Sequence, residues 1–145
     1  MGNICRSPVA EGILQHLSQI NNLDIEIDSA GTISMHQGNA PDERSTANAS
    51  KHGVDISKQQ SRPIKLHDFD YYDKIFVMDV NNYNALQRLT SNKNRLQKVD
   101  FLLNISYPNQ NKNVPDPYYG EGDGFETVYQ LIFEACSKLV DELKM

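Results

Sequence analysis

The residues best equipped for chemistry stand at the start of the chain, in Gly2-Asn3-Ile4-Cys5-Arg6-Ser7-Pro8. Small and polar residues lead there into Val9-Ala10-Glu11, where a helical pattern begins. Ser7 is a good N-cap and Pro8 suits the first helical position. A loop that ends at a helix N-terminus presents free backbone N–H groups and the positive end of the helix dipole, which together hold an anion. Arg6 adds a planar cationic fork that matches two oxygens of a phosphate or carboxylate. A second stretch able to carry chemistry is Val114-Pro115-Asp116-Pro117-Tyr118-Tyr119-Gly120. Prolines on both sides of Asp116 restrict the backbone, and so restrict where its carboxyl can point.

The elements that must position these residues follow from periodicity. Val9, Ile13, Leu14, Leu17 and Ile20 recur at helical spacing, which predicts a helix over 8–20. Ile25-Glu26-Ile27-Asp28 alternates as a strand does, closed by Ser29-Ala30-Gly31-Thr32. A second helix is predicted over 43–52, with Gly53 as its C′ residue. Residues 64–70 read as a connection, and 74–78 as a buried strand. Asp79 to Asn82 caps a third helix, 99–103 reads as another strand, and 104–124 is a long polar loop rich in Pro and Gly. The last helix, 125–143, carries Val128, Ile132, Cys136, Leu139 and Leu143 on one apolar face, which places Cys136 in the core.

Helices alternating with strands imply an α/β fold, a parallel sheet with helical crossovers, and one domain over 1–145. A net charge of −5 excludes a broad basic face for nucleic acid, yet a local nest of N–H groups with one Arg still holds a phosphate. His16, His36, His52 and His67 lack ligand spacing, so no metal or other cofactor is expected. Two distant cysteines fit a reducing cytoplasm, and no apolar run is long enough to span a bilayer. Asn48 and Asn104 match the glycosylation pattern by chance.

Gly-Asn-Ile-Cys-Arg-Ser-Pro-x-Ala-Glu closely resembles the phosphate-binding loop of the low-molecular-weight protein-tyrosine phosphatases. Asp-Pro-Tyr-Tyr-Gly resembles the general-acid loop of that family, and Asp28 to Thr32, His52-Gly53 and Phe76 to Asp79 extend the likeness along the chain. The resemblance implies a doubly wound parallel sheet of about four strands with helices on both faces. It implies hydrolysis of phosphotyrosine and small aryl phosphates through a phosphocysteine, on phosphotyrosine-containing proteins and with no cofactor. Arg6 and Asp116 would be catalytic. Gly2, Asn3, Ile4, Cys5, Arg6 and Ser7 would bind phosphate or sulfate-like anions. Asn3, Ser7 and Ser29 would support the loop, and Met35, His36, Tyr118 and Tyr119 would form the substrate wall.

The family motif opens with its nucleophile: Cys, five residues, Arg, Ser. In register with Arg6 and Ser7, that Cys would be the residue immediately before Met1, at the end of an interior strand that would also precede Met1. Cys5 cannot take its place, because six residues after Cys5 stands Glu11. The family's supporting His-x-Ala-Arg stretch is replaced by residues 56–62, with Lys58 near the His position. Two other functions stay open: a catalytically inactive phosphate- or phosphotyrosine-binding module, and an arsenate reductase, which would need resolving cysteines that this chain lacks.

Overall fold

A computed structural model describes residues 5–32, 37–117 and 124–144. The order is α1 (Arg6–Ile20), α2 (Glu43–Lys51), α3 (Leu66–Tyr71), β1 (Ile75–Val77), α4 (Val80–Leu89), α5 (Lys93–Leu96), β2 (Val99–Phe101), a 3-10 turn (Leu102–Asn104) and α6 (Gly124–Leu143). β1 and β2 pair in parallel, with Ile75 opposite Val99 and Val77 opposite Phe101. A parallel sheet buried on both faces needs apolar side chains at successive positions, and β1 shows it. Phe76 and Met78 pack into a core built mainly on α1 and α6, around Ile13, Ile132 and Ala135. Ile75 and Val77 turn to the opposite face, onto Phe69, Leu86 and Phe101.

α1 sits against α6 and against the turn after α2. Gly12 permits the second contact: a Cβ there would lie 2.5 Å from Ile56 Cγ2 and 3.0 Å from Val54 Cγ1. Gly53 ends α2 in the left-handed region at φ 79°, as expected of a C′ glycine.

Several expectations need correction. Ser7 does not cap α1; the helix begins at Arg6 with Cys5 at the N-cap and no side-chain cap bond, so Ser7 and Pro8 lie inside the first turn. Proline is tolerated there because first-turn N–H groups have no intrahelical acceptor. The 64–70 connection contains α3, held by Asp68, which accepts from the Lys65 N–H at 2.8 Å and from Arg62 at 2.9 Å. α5 was not expected either; four residues are too few for a periodic signal.

The largest difference concerns residues 25–28, predicted as a strand. They run without ladder pairing to any described residue. Among the described residues, the segment pairs with another extended stretch only at Gly31, which donates to Arg62 O at 2.8 Å and accepts from Ile64 N at 2.8 Å. A strand exists only where a neighbouring backbone accepts its bonds. Among the described residues, none lies between this segment and β1. A cavity of about 580 Å³ occupies that space.

Candidate functional site

The site is assembled where β1, α4, the 114–117 segment and the start of α1 converge. Asp79 follows β1 and caps α4, its Oδ1 accepting from the Asn82 N–H at 2.8 Å. Asn82 returns the favour to the strand end, its Oδ1 accepting from Met78 N at 3.2 Å. With Oδ1 so engaged, Asp79 Oδ2 faces Arg6 and pairs with Nη1 at 2.8 Å. Arg6 Nη1 also donates to the carbonyl of Val114 at 2.7 Å. The guanidinium is only 7% exposed, so this ion pair works with little solvent screening. Both contacts use Nη1. The Nε and Nη2 edge is therefore the one that can grip two oxygens of an anion.

Val114 couples the second motif to the first. Its N–H donates to Met78 O at 2.7 Å, and its carbonyl accepts from Arg6. Asp116, half-buried, follows two residues later, within about 7 Å along the chain. Pro117 is buried against the start of α6, where a Cβ on Gly124 would lie 3.0 Å from Pro117 O. Only a residue without a side chain lets the helix end close this tightly on the segment that carries Asp116.

Ser29 is joined to α1: its Oγ donates to Glu11 Oε1 at 2.6 Å. Glu11 ionises less readily than usual, first because burial penalises its charge; the Asp28 charge adds to this, while the Ser29 bond opposes it. Gln59, not Lys58, reaches the start of α1. Its Nε2 donates to Pro8 O at 3.0 Å, while Lys58 is exposed. The Gln59 Oε1 is buried with no partner among the described residues.

Of the residues singled out from sequence, Cys5, Arg6, Ser7, Ser29 and Asp116 are described. Gly2, Asn3, Ile4, Met35, His36, Tyr118 and Tyr119 lie outside the described residues. Asp79, Glu11 and Gln59 were missed as site residues. Asp79 was read as a helix cap, which it is, and nothing in a one-dimensional pattern reveals that its second oxygen serves Arg6. Cys5 and Cys136 are both buried and form no disulfide with each other. Burial pushes the Cys136 thiol up to about 12, which keeps it protonated and inert. Among the described residues there is no cluster of three or more His, Cys, Asp or Glu able to hold a metal. No described helix is long and apolar enough to cross a membrane.

A helix start with a buried Arg, backed by a carboxylate after a parallel strand and flanked by a loop bearing Asp, is an arrangement suited to an oxyanion in an α/β protein. The comparisons with known proteins narrow that class. The chain matches the family described as low molecular weight phosphotyrosine protein phosphatase over residues 1–145, and it belongs to that family. It is 37% identical over 144 residues to low molecular weight phosphotyrosine protein phosphatase 1 of Drosophila melanogaster, covering 98% of this chain and 92% of the relative. A protein tyrosine phosphatase from Entamoeba histolytica, crystallised with Hepes in the active site, superposes with a TM-score of 0.90 at 35% identity, covering 99% of this chain and 92% of that one. Wzb of Vibrio vulnificus, in complex with benzylphosphonate, gives 0.85 at 28% identity, covering 98% and 93%.

Proposed function

We propose that this chain acts on the phosphotyrosine of proteins with Arg6 as the phosphoryl-binding residue and Asp116 as the proton donor. The observation that carries the reading is the double contact of Arg6 with Asp79 and Val114. It fixes the guanidinium at the head of α1 and brings the Asp116 segment to it. Preorganisation of this kind stabilises charge that develops in a transition state, because no reorganisation is needed when the reaction occurs. The ligands of the two solved relatives, a sulfonate buffer and a benzylphosphonate, both carry a tetrahedral anionic head, and the second carries it on an aryl methylene.

In the mechanism, a thiolate at the motif's first position, in register just ahead of Met1, attacks phosphorus in line with the ester oxygen. The S–P bond forms as the ester P–O bond breaks. Arg6 and the loop N–H groups hold the equatorial oxygens. Asp116, protonated, passes its proton to the departing phenolate. The resulting carboxylate takes a proton from water; the hydroxide equivalent attacks phosphorus, the S–P bond breaks, and inorganic phosphate and thiolate are released. Gly2, Asn3, Ile4, Cys5 and Ser7 complete the loop, Ser29 and Asn3 support it, and Met35, His36, Tyr118 and Tyr119 wall the substrate. The reading takes 1–145 as one such domain acting in the cytoplasm, which two cysteines with no disulfide between them support.

Hydrolysis of para-nitrophenyl phosphate tests it. A chain extended ahead of Met1 by an apolar strand ending in Cys should turn the substrate over, and Asp116→Asn in that chain should lower kcat by about 10²- to 10⁴-fold. The 145-residue chain alone should bind phosphate without turnover. Unchanged kcat in Asp116→Asn, or turnover by the 145-residue chain that Cys5→Ser abolishes, would refute the assignment.

A further inference from the structure

Beside Arg6, on the side of α4, runs a short fixed strip of chain that carries one cation the phosphoryl chemistry does not use. Residues 112–114 lie alongside Met78, Asp79 and Val80. The Val114 N–H donates to Met78 O at 2.7 Å, and Asn113 Oδ1 accepts from the Val80 N–H at 2.9 Å. On the other side of Lys112, Asn111 stands in the left-handed region at φ 49°, which asparagine tolerates better than most residues. A reciprocal pair holds it there. The Asn111 N–H donates to Asn104 Oδ1 at 2.8 Å, and Asn104 Nδ2 donates to Asn111 Oδ1 at 2.8 Å. Asn104 is anchored in turn on Asp100 at 2.7 Å. Lys112 therefore sits between two residues that hydrogen bonds hold in place.

Its side chain is restrained as well. Lys112 Nζ lies 4.2 Å from the centroid of the Tyr107 ring, and Tyr107 packs against the core built on α1 and α6. A ring face attracts an ammonium without supplying a countercharge. Arg62, Arg95 and Lys138 each pair with a carboxylate. Lys112 is exposed, and among the described residues no carboxylate lies within ion-pair distance of it.

The position of this cation gives it a use. The Val114 carbonyl accepts from Arg6 at 2.7 Å, and two residues span at most about 7 Å, which puts the Lys112 Cα within roughly 12 Å of the guanidinium. An extended peptide advances about 3.3–3.6 Å per residue. With its phosphate on Arg6, such a peptide brings a carboxylate about three residues away to the Lys112 ammonium. Val80, exposed beside Asn113, gives the intervening residues an apolar surface. The chain as a whole carries a net charge of −5 and repels an acidic segment, so a local cation decides whether one is accepted.

We propose that Lys112 is a specificity residue: with Val80 and Asn113 it forms a flanking subsite that favours phosphotyrosine segments bearing a carboxylate about three residues from the phosphotyrosine, on one side only. The proposal rests on the phosphotyrosine reading above. Restraint by Tyr107 and by the two anchored neighbours means that less side-chain and loop freedom is lost when the carboxylate binds.

The test measures binding of three phosphotyrosine nonapeptides to the 145-residue chain by titration calorimetry. One has alanine on both flanks, one has three glutamates on the amino side, and one has three on the carboxyl side. One glutamate peptide should bind about 2- to 5-fold more tightly than the alanine peptide, the other should not, and 0.5 M NaCl should remove most of the gain. Lys112→Met should bring the ratio to about one and Lys112→Glu should invert it. Lys138→Met, which removes the same charge from α6, should preserve it. The same ratios, read as kcat/KM on the chain extended ahead of Met1, decide the matter where the shorter chain binds no peptide. Equal affinities for all three peptides, a gain shared by both glutamate peptides, a gain that survives Lys112→Met, or one that Lys138→Met also abolishes overturns the proposal and leaves the phosphotyrosine reading standing. Failure of every phosphopeptide to bind the 145-residue chain and to be hydrolysed by the extended one refutes that reading and the subsite with it.

Discussion

At the scale of single residues, Arg6 shows how one side chain is made rigid enough for use. A guanidinium on a surface helix would sample many rotamers, at an entropic cost on binding of about 2 kcal/mol. Here Asp79 and the Val114 carbonyl have already fixed it. Asp79→Asn separates the two tasks of that residue. Asparagine is as good an N-cap as aspartate, so its Oδ1 continues to accept from Asn82, and the cap of α4 survives. What is lost is the countercharge to a guanidinium 7% exposed. Removing one partner of a buried ion pair costs about 3–5 kcal/mol, and a loss in that range is expected in urea unfolding at pH 7. Phosphate binding should weaken with it, because Arg6 is no longer oriented. A loss below about 1 kcal/mol with unchanged phosphate affinity would show that Val114 alone is enough to hold Arg6.

At the scale of elements, the helices were legible and the sheet only half so. α1 and α6 announce themselves because an apolar stripe at helical spacing is a local property, confined to one element. Strand 25–28 has the right alternation, yet strandhood depends on a neighbour, and no local pattern says whether the neighbour is present. The same distinction explains Glu11. In sequence it continues a helix; in space it is the residue through which α1 holds Ser29. Its ionisation is suppressed chiefly by burial, and Asp28 adds to that. Since the folded state raises its pKa, any stability linked to Glu11 is fully present below the ordinary carboxyl value of about 4.3 and declines as pH rises through the raised value. Glu11→Gln keeps an oxygen to accept from Ser29 and removes the charge. The variant should match the parent near pH 3.5 and exceed it in stability at pH 7, measured by urea unfolding at both. Equal stability at both values would show that the buried charge costs nothing, and a loss at pH 7 that it stabilises the fold; either overturns the prediction.

At the scale of the whole molecule, two kinds of order coexist. One is a packed unit of α1, α6 and the β1–β2 pair, in which Ile13, Ile132 and Ala135 are almost fully enclosed. The other is the 24–28 segment, extended and positioned through Arg62 and Ser29, whose N–H groups bond to no backbone acceptor among the described residues. Side-chain tethers fix where a segment lies but do not protect its amides from water, since exchange follows the backbone bond and its opening free energy. Amide exchange should therefore divide the chain. The α6 amides around Ile132 should exchange at least ~10³-fold more slowly than an unprotected peptide, whereas those of 24–28 should exchange close to the unprotected rate. Phe76 should behave as 24–28 does, while Ile75, bonded to Lys98 one residue away, should be protected. That contrast between adjacent residues of one strand reports the backbone edge directly, because both residues are half-buried and differ in which side their N–H faces. Strong protection at Phe76 and 24–28 would instead show that these backbone groups have partners in solution.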